Sequence, residues 1–379
     1  MLTVLLNWFY ICFTTASLGY VFSKGIEKKL HYGIKKLHHL IAIGLVIVTV
    51  YAQIFSIFYQ VGAVANVVLL VLCAGALIGC RQQVMEEAKS SIKSLISRKG
   101  ILTLGLVIVW AYFTSRGIIH YDTDLYHAQS IRWIEEYGVV PGLGNLHVRF
   151  AYNSSIFALS ALYSMKFFVG QSLHTISGFF ALLLSISVLD ITGSWKEKRL
   201  RLSDFARIGA IYYLTMIIDE VVSPASDYVI MCTIFYLVIE WLAVLEETKE
   251  KRECIVPYAL LCVGGVFAVS LKLTAGLILI LVIKPAFMLI REKRWKEIFL
   301  YISMGIVVIA PWIIRTVMIS GYVIYPFPAL DLLNVDWKIP AETAISDAAE
   351  IKTWGRAIYD ASKVELPIQD WFPNWFAST

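Results

Sequence analysis

The chain has 379 residues, 58% hydrophobic and 16% charged, with a mean hydropathy of +0.70. Soluble domains carry about 25% charged residues, so this composition excludes an ordinary soluble enzyme and points to lipid as the solvent. The formal net charge of +5 does not imply nucleic acid, because the basic residues cluster between apolar runs.

A spanning helix needs about 20 apolar residues. In chain order, the runs approaching that length are Leu2–Phe22, Leu40–Tyr59, Gly62–Cys80, Ile101–Ile118, Ser155–Val169, Thr175–Gly193, Asp227–Leu245, Ile255–Leu271, Thr274–Ile290 and Ile298–Ile319. The short stretch Ile208–Ile218 is ambiguous. The expected fold is all-α and integral to the membrane: a polytopic bundle of about 10–11 segments. Residues 1–319 would form the membrane domain and 320–379 an extracytoplasmic tail.

Charge gives the expected orientation. Lys24–Lys36 holds five lysines against one glutamate, Arg81–Lys99 five basic residues against two acidic, and Arg291–Glu297 four against two. These are inside flanks by the positive-inside rule. The loop 119–154 is net −2 and the tail 320–379 net −4, so both are expected outside. No basic residue precedes the first span, which disfavours a cleaved signal peptide and fits an N-out anchor. The six cysteines (Cys12, Cys73, Cys80, Cys232, Cys254, Cys262) show no CxxC spacing and read as apolar fillers.

One stretch resists this order. If Ser155–Val169 and Thr175–Gly193 both cross, the basic run "SWKEKRLRLSDFAR" falls outside, against the charge rule. Either one of the pair lies flat or is re-entrant and Ile208–Ile218 crosses, or both cross and Ile208–Ile218 does not. Both arrangements leave "DEVVSPASDY", Asp219–Tyr228, on the outer side. The tail sets acidic residues between Ile345, Ile351, Trp354 and Ile358, as in a surface amphipathic helix, and holds the aromatic cluster "DWFPNWF".

The loop "HYDTDLYHAQSIRWIEEYGVVPGLGNLHVRFAYNSS" carries three of the seven histidines. Loops this long are usually functional or disordered, and its aromatics and helical pattern argue against disorder. "DTDLYHAQSIRWIEEYG" reads as a helix capped by Asp122 or Thr123 and stopped by Gly138. Tyr126, Ser130, Trp133 and Tyr137 share one face; Leu125, Ile131 and Ile134 give an apolar side that can lie on the bilayer. Asp122 and Asp124 can each act as no more than helix-start anions. The histidines lack HExxH-like spacing for zinc, and no Ser or Cys elbow accompanies Asp122 and His127.

A span, an outer loop opening on Asp122, Tyr126 four residues on, a G-x-x-P turn, then Arg149 within "NLHVRFAYNSS": this arrangement resembles the GT-C membrane glycosyltransferases. Their aminoarabinose and O-mannosyl transferase branches carry Asp-Glu-x-x-Tyr here. A second acidic motif of that superfamily finds a match in Asp219, Glu220 and Asp227. Along nearly its whole length the chain also resembles bacterial polytopic membrane proteins linked to surface-polysaccharide genes, which share "YDT-x-LYH" and "VVPGLGNLH". The chain departs from the superfamily in Thr123 where Glu is usual, in Arg149 without Pro-Pro, and in stopping at Thr379, as a shortened member would.

The resemblance implies a polyprenyl-phosphate-linked sugar donor used at the outer face, membrane lipid around it, and other polysaccharide-assembly proteins as partners. Asp122 would be the base that takes the acceptor hydroxyl proton, with Asp124 positioning it. Tyr126, His127, His147, Arg149, Lys272 and Arg315 would bind substrate, the cations holding the leaving phosphate. Snorkelling to headgroups is the plain alternative for Lys272 and Arg315, as is a salt bridge to Glu135 or Asp124 for Arg149. The resemblance fixes no cofactor; a divalent cation is an option, shared by Asp219 and Asp227 with Asp122, and helix capping is their simpler role. Lys166, Asp190, Glu240 and Lys284 receive no chemistry. A polysaccharide polymerase or ligase, a lipid-linked sugar transporter and an inactive accessory subunit are the alternatives. Transport is disfavoured by the absence of a visible repeat.

Overall fold

The computed structural model describes residues 1–79, 97–250 and 254–378, excluding the side chains of 248–250. Cys80 and most of the basic flank Arg81–Lys99 lie outside the described residues. Among the described residues every regular element is helical, and six helices are long and apolar enough to cross a membrane. The chain is a multi-pass helical membrane protein. The remaining expected spans fall on shorter helices, including Ala63–Gly79 and Val256–Leu271.

The helices are α1 (Leu2–Leu30), α2 (Leu37–Phe58), α3 (Ala63–Gly79), α4 (Arg98–Thr114), α5 (Ala128–Tyr137), α6 (Ser155–Tyr163), α7 (Ile176–Val188), α8 (Ile191–Glu197), α9 (Leu202–Met216), α10 (Ser226–Glu250), α11 (Val256–Leu271), α12 (Ile283–Arg291), α13 (Trp295–Ser320), α14 (Ala341–Trp354) and α15 (Ile368–Ser378). They divide into two compact units. Met1–Gly138 with Ser154–Pro311 form the first; Val139–Asn153 with Trp312–Thr379 form the second.

In the first unit small residues let helices meet closely, which matters where lipid removes the hydrophobic drive between them. A Cβ on Gly19 would stand 1.9 Å from the Leu40 carbonyl oxygen, and one on Gly44 1.9 Å from that of Thr15. Only glycine permits this α1–α2 crossing. Polar side chains then join helix ends. Asn7 Nδ2 donates to the Tyr163 carbonyl (2.7 Å) and Trp8 Nε1 to that of Thr175 (2.9 Å). Asn66 Nδ2 donates to the Leu162 carbonyl (2.9 Å).

These bonds decide which stretch crosses. The C-terminal end of α6 meets the start of α1 and α3, while Ser154 Oγ donates to the Leu271 carbonyl (2.6 Å) at the end of α11. Lys272 pairs with Asp227 at the start of α10. Both ends of α6 therefore lie at one end of the unit, and Ser155–Val169 runs across it rather than through it. α7 does cross, from Ser177, whose Oγ donates to the Ser223 carbonyl (2.7 Å), to Ser187, whose Oγ reaches Glu240 Oε1 (2.7 Å). α9 returns, from Ser203 on Glu246 to the Asp219 carbonyl that accepts from Ile118 N (2.7 Å). Of the two arrangements left open above, this packing matches the one in which Ile208–Ile218 runs along the bundle.

A reporter active only outside the cytoplasm, fused after Gly138, is therefore expected to signal opposite to one fused after Arg201. Equal signals at the two positions would contradict this order of crossings.

In the second unit Gly142 N donates to the Met318 carbonyl (2.8 Å), and Asn145 Nδ2 to that of Trp337 (2.7 Å). Residues 139–153 thus belong with the C-terminal segment. On α14, Ile345, Ile351 and Trp354 are exposed while Asp347 is buried. No residue of α15 is buried, and its Trp371, Phe372, Trp375 and Phe376 stack on one another. An exposed aromatic helix of this kind suits a headgroup layer.

Candidate functional site at the loop end

Within the first unit the loop begins at Gly117 and His120, which are tied to the segment before α10. The His120 backbone N–H donates to Ser223 Oγ (2.7 Å). Asp122 does not cap the following helix with its side chain; its own N–H donates to His120 Nδ1 (3.1 Å). The first turn, Thr123–His127, is wound as a π-helix before α5 begins. Such turns are rare and frequent at functional sites.

The apolar side of α5 points inward, not to the bilayer as expected. Ile131 and Ile134 are buried, as are Tyr126, His127 and Ser130. The helix lies over α6: Tyr126 and His127 ring centroids are 6.4 and 5.5 Å from that of Phe157. Trp133 stacks on Tyr137 (5.1 Å), leaving Tyr137 on the outside. Gly138 stops the helix with φ +73°, and a Cβ there would meet the Ser56 carbonyl oxygen at 2.6 Å. At the same end Glu135 accepts from Ser172 Oγ on both oxygens (2.8 Å each), and Lys166 pairs with Glu136. Burial pushes the Glu135 carboxyl up, against the Ser164 and Ser172 hydroxyls and Lys166, which lower it.

Asp122 is half-buried and Asp124 exposed at the head of this helix. His127 is wholly enclosed between Tyr126 and Phe157, so it supports the turn from beneath. Asp219 is exposed, Glu220 is half-buried and accepts from the Tyr228 hydroxyl, and Asp227 is engaged by Lys272. The Tyr228 ring also packs on His120 (6.2 Å), which links the second acidic stretch to the loop.

The second unit holds the other predicted cations. His147 is exposed and its Nδ1 accepts from Arg149 N (3.2 Å); Arg149 is half-buried. Arg315 is 2% exposed, which excludes snorkelling to headgroups. Its Nε donates to Asn153 Oδ1 (3.1 Å), while Asn153 Nδ2 donates to the Trp312 carbonyl (2.9 Å) and Thr316 Oγ1 (3.0 Å). Tyr152 OH donates to buried Asp347 (2.6 Å); burial and that carboxylate push the phenol up. Asn153→Ala removes an acceptor from a buried guanidinium. It is expected to destabilise the protein by about 1.5–3 kcal/mol, read by thermal unfolding in detergent. A loss no larger than that of exposed His147→Ala would show that Asn153 holds nothing.

A second polar cluster in the first unit was not anticipated. At the end opposite the loop, His39 Nε2 lies 2.9 Å from Glu240 Oε2, and Ser187 Oγ donates to Glu240 Oε1 (2.7 Å). His38 Nδ1 is 3.1 Å from the Tyr236 hydroxyl. Lys36 and Lys99 both pair with Asp190 nearby. His39, Tyr236 and Glu240 also line a cavity of about 450 Å³ whose walls are otherwise mostly apolar, among them Val46, Leu183 and Leu237. Among the described residues, His38, His39 and Glu240 are the three ligand-type side chains close enough to share an ion; Asp122, Asp219 and Asp227 are not so gathered. A lone carboxylate inside the run Asp227–Leu245 was the one signal in the sequence, since such residues at membrane depth are functional candidates by default.

The family signature that fits this chain covers residues 1–379. The chain belongs to a family described as a domain of unknown function (DUF8201). No curated protein and no solved structure matches it.

Proposed function

We propose that the protein is a GT-C-type glycosyltransferase that uses a polyprenyl-phosphate-linked sugar at the outer face of a bacterial cytoplasmic membrane, in cell-surface polysaccharide assembly. The observation that carries this reading is Asp122. It heads a rigidly backed turn, its side chain does not cap the helix, and Glu220, Asp227 and Lys272 lie at the same end of the unit. In the reaction the acceptor hydroxyl oxygen bonds to the sugar C1 as the C1–phosphate bond breaks. Asp122 takes the hydroxyl proton, and the phosphate leaves as an anion near a cation such as Lys272. Other assembly proteins would supply donor or take product.

The test is transfer from a polyprenyl-phosphate sugar in membranes holding the parent, against membranes without the protein. Equal transfer in the two would reject the reading. A second reading, movement of a lipid-linked sugar across the bilayer, draws on the apolar cavity at the opposite end. Lipid-linked sugar exchange between leaflets of reconstituted vesicles, with no new glycosidic bond, would favour it.

A further inference from the structure

We infer that His38, His39 and Glu240 form a binding site for a divalent metal ion of the zinc class, open toward the apolar cavity. One ligand atom from each side chain lies within 4.8 Å of the other two. Ligand bonds of about 2.0–2.2 Å around one ion would draw these atoms inward from that spacing. Two imidazole nitrogens and one carboxylate oxygen make a donor set found in zinc sites that keep a fourth position open. His39 and Glu240 are also the members that line the cavity, so the open position has space beside it.

The surroundings fit a built site. Glu240 is 5% exposed in the middle of an apolar helix, and its second oxygen is held by Ser187 Oγ at 2.7 Å. His38 is held by the Tyr236 hydroxyl, one turn before Glu240 on the same helix. Such outer contacts orient metal ligands and are a regular part of these sites. The lysines at this end, Lys36 and Lys99, are taken by Asp190, which leaves the Glu240 carboxylate to the histidines and Ser187. A simple ion pair would need His39 and Glu240 alone. Here buried His38 converges with them as well, its ligand atom within 4.8 Å of theirs.

This site lies at the end opposite Asp122, so its test is independent of the sugar-transfer reading. The full chain, purified in detergent with a tag free of histidine, is stripped with chelator and titrated with Zn²⁺ and, separately, Co²⁺. The parent is expected to take one ion per chain, with a visible Co²⁺ spectrum of low coordination number. His38→Ala, His39→Ala and Glu240→Gln should each weaken binding by about 100-fold or more, and Ser187→Ala by roughly 10-fold through its outer contact. Should Glu240→Gln fail to fold, the parent titration and the histidine and serine variants still decide. No uptake above a detergent blank overturns the proposal, as does binding that survives any one of the ligand substitutions unchanged.

Discussion

Asp122→Asn is expected to lower sugar transfer by roughly 10²–10⁴-fold, the range a positioned general base contributes. The Asp122 side chain makes no capping bond to the helix it heads, and the turn is held instead by His120, Ser223 and the buried Tyr126 and His127. The amide is close in shape to the carboxylate, so what changes is the ability to accept a proton. Asp124→Asn, two residues on and exposed, removes a neighbouring charge but not the base, and should reduce turnover far less. Lys272→Ala should fall between them, because it removes a cation for the leaving phosphate and at the same time releases Asp227. The measurement is initial rate in membranes normalised to protein level. Parent-like turnover by Asp122→Asn would remove Asp122 from the chemistry and with it the sugar-transfer reading.

Hydropathy made the helical membrane class legible, because length and composition alone fix which runs can span. It exposed the conflict between Ser155–Val169 and Ile208–Ile218 but could not resolve it. The resolution lies in single long-range bonds from Asn7, Trp8, Asn66 and Ser154, and composition does not report where a side chain donates. The loop helix was recognisable from its spacing and from Gly138. Its inward face was not, since Ile131 and Ile134 serve equally well against lipid or against α6. The joining of residues 139–153 to the C-terminal segment rests on Asn145, Asn153 and Gly142. The His38–His39–Glu240 cluster needed residues about two hundred positions apart to meet, and only the isolated Glu240 hinted at it.

Gly44→Val is expected to prevent accumulation of folded protein, and Gly44→Ala to lower the unfolding temperature sharply. The built Cβ of an alanine at this position would be 1.9 Å from the Thr15 carbonyl oxygen and 2.7 Å from its Cα. Both are main-chain atoms, so no rotamer change can make room and the two helices must separate. Overpacking in general costs about 1–3 kcal/mol. A main-chain clash between two of the long spans sits at the top of that range or above it. Separation would also shift α2, whose N-terminal turn presents His38 and His39 to Tyr236 and Glu240. The same substitution should therefore weaken zinc uptake, if enough protein folds for the measurement. Gly75→Ala provides the contrast: it lies in helix α3 with nothing within 4 Å of the added methyl. There the gain in helix propensity, up to about 1 kcal/mol, should leave stability equal or slightly raised. If Gly44→Ala melts with the parent by fluorescence-detected size exclusion after heating, α1 and α2 do not cross through their glycines.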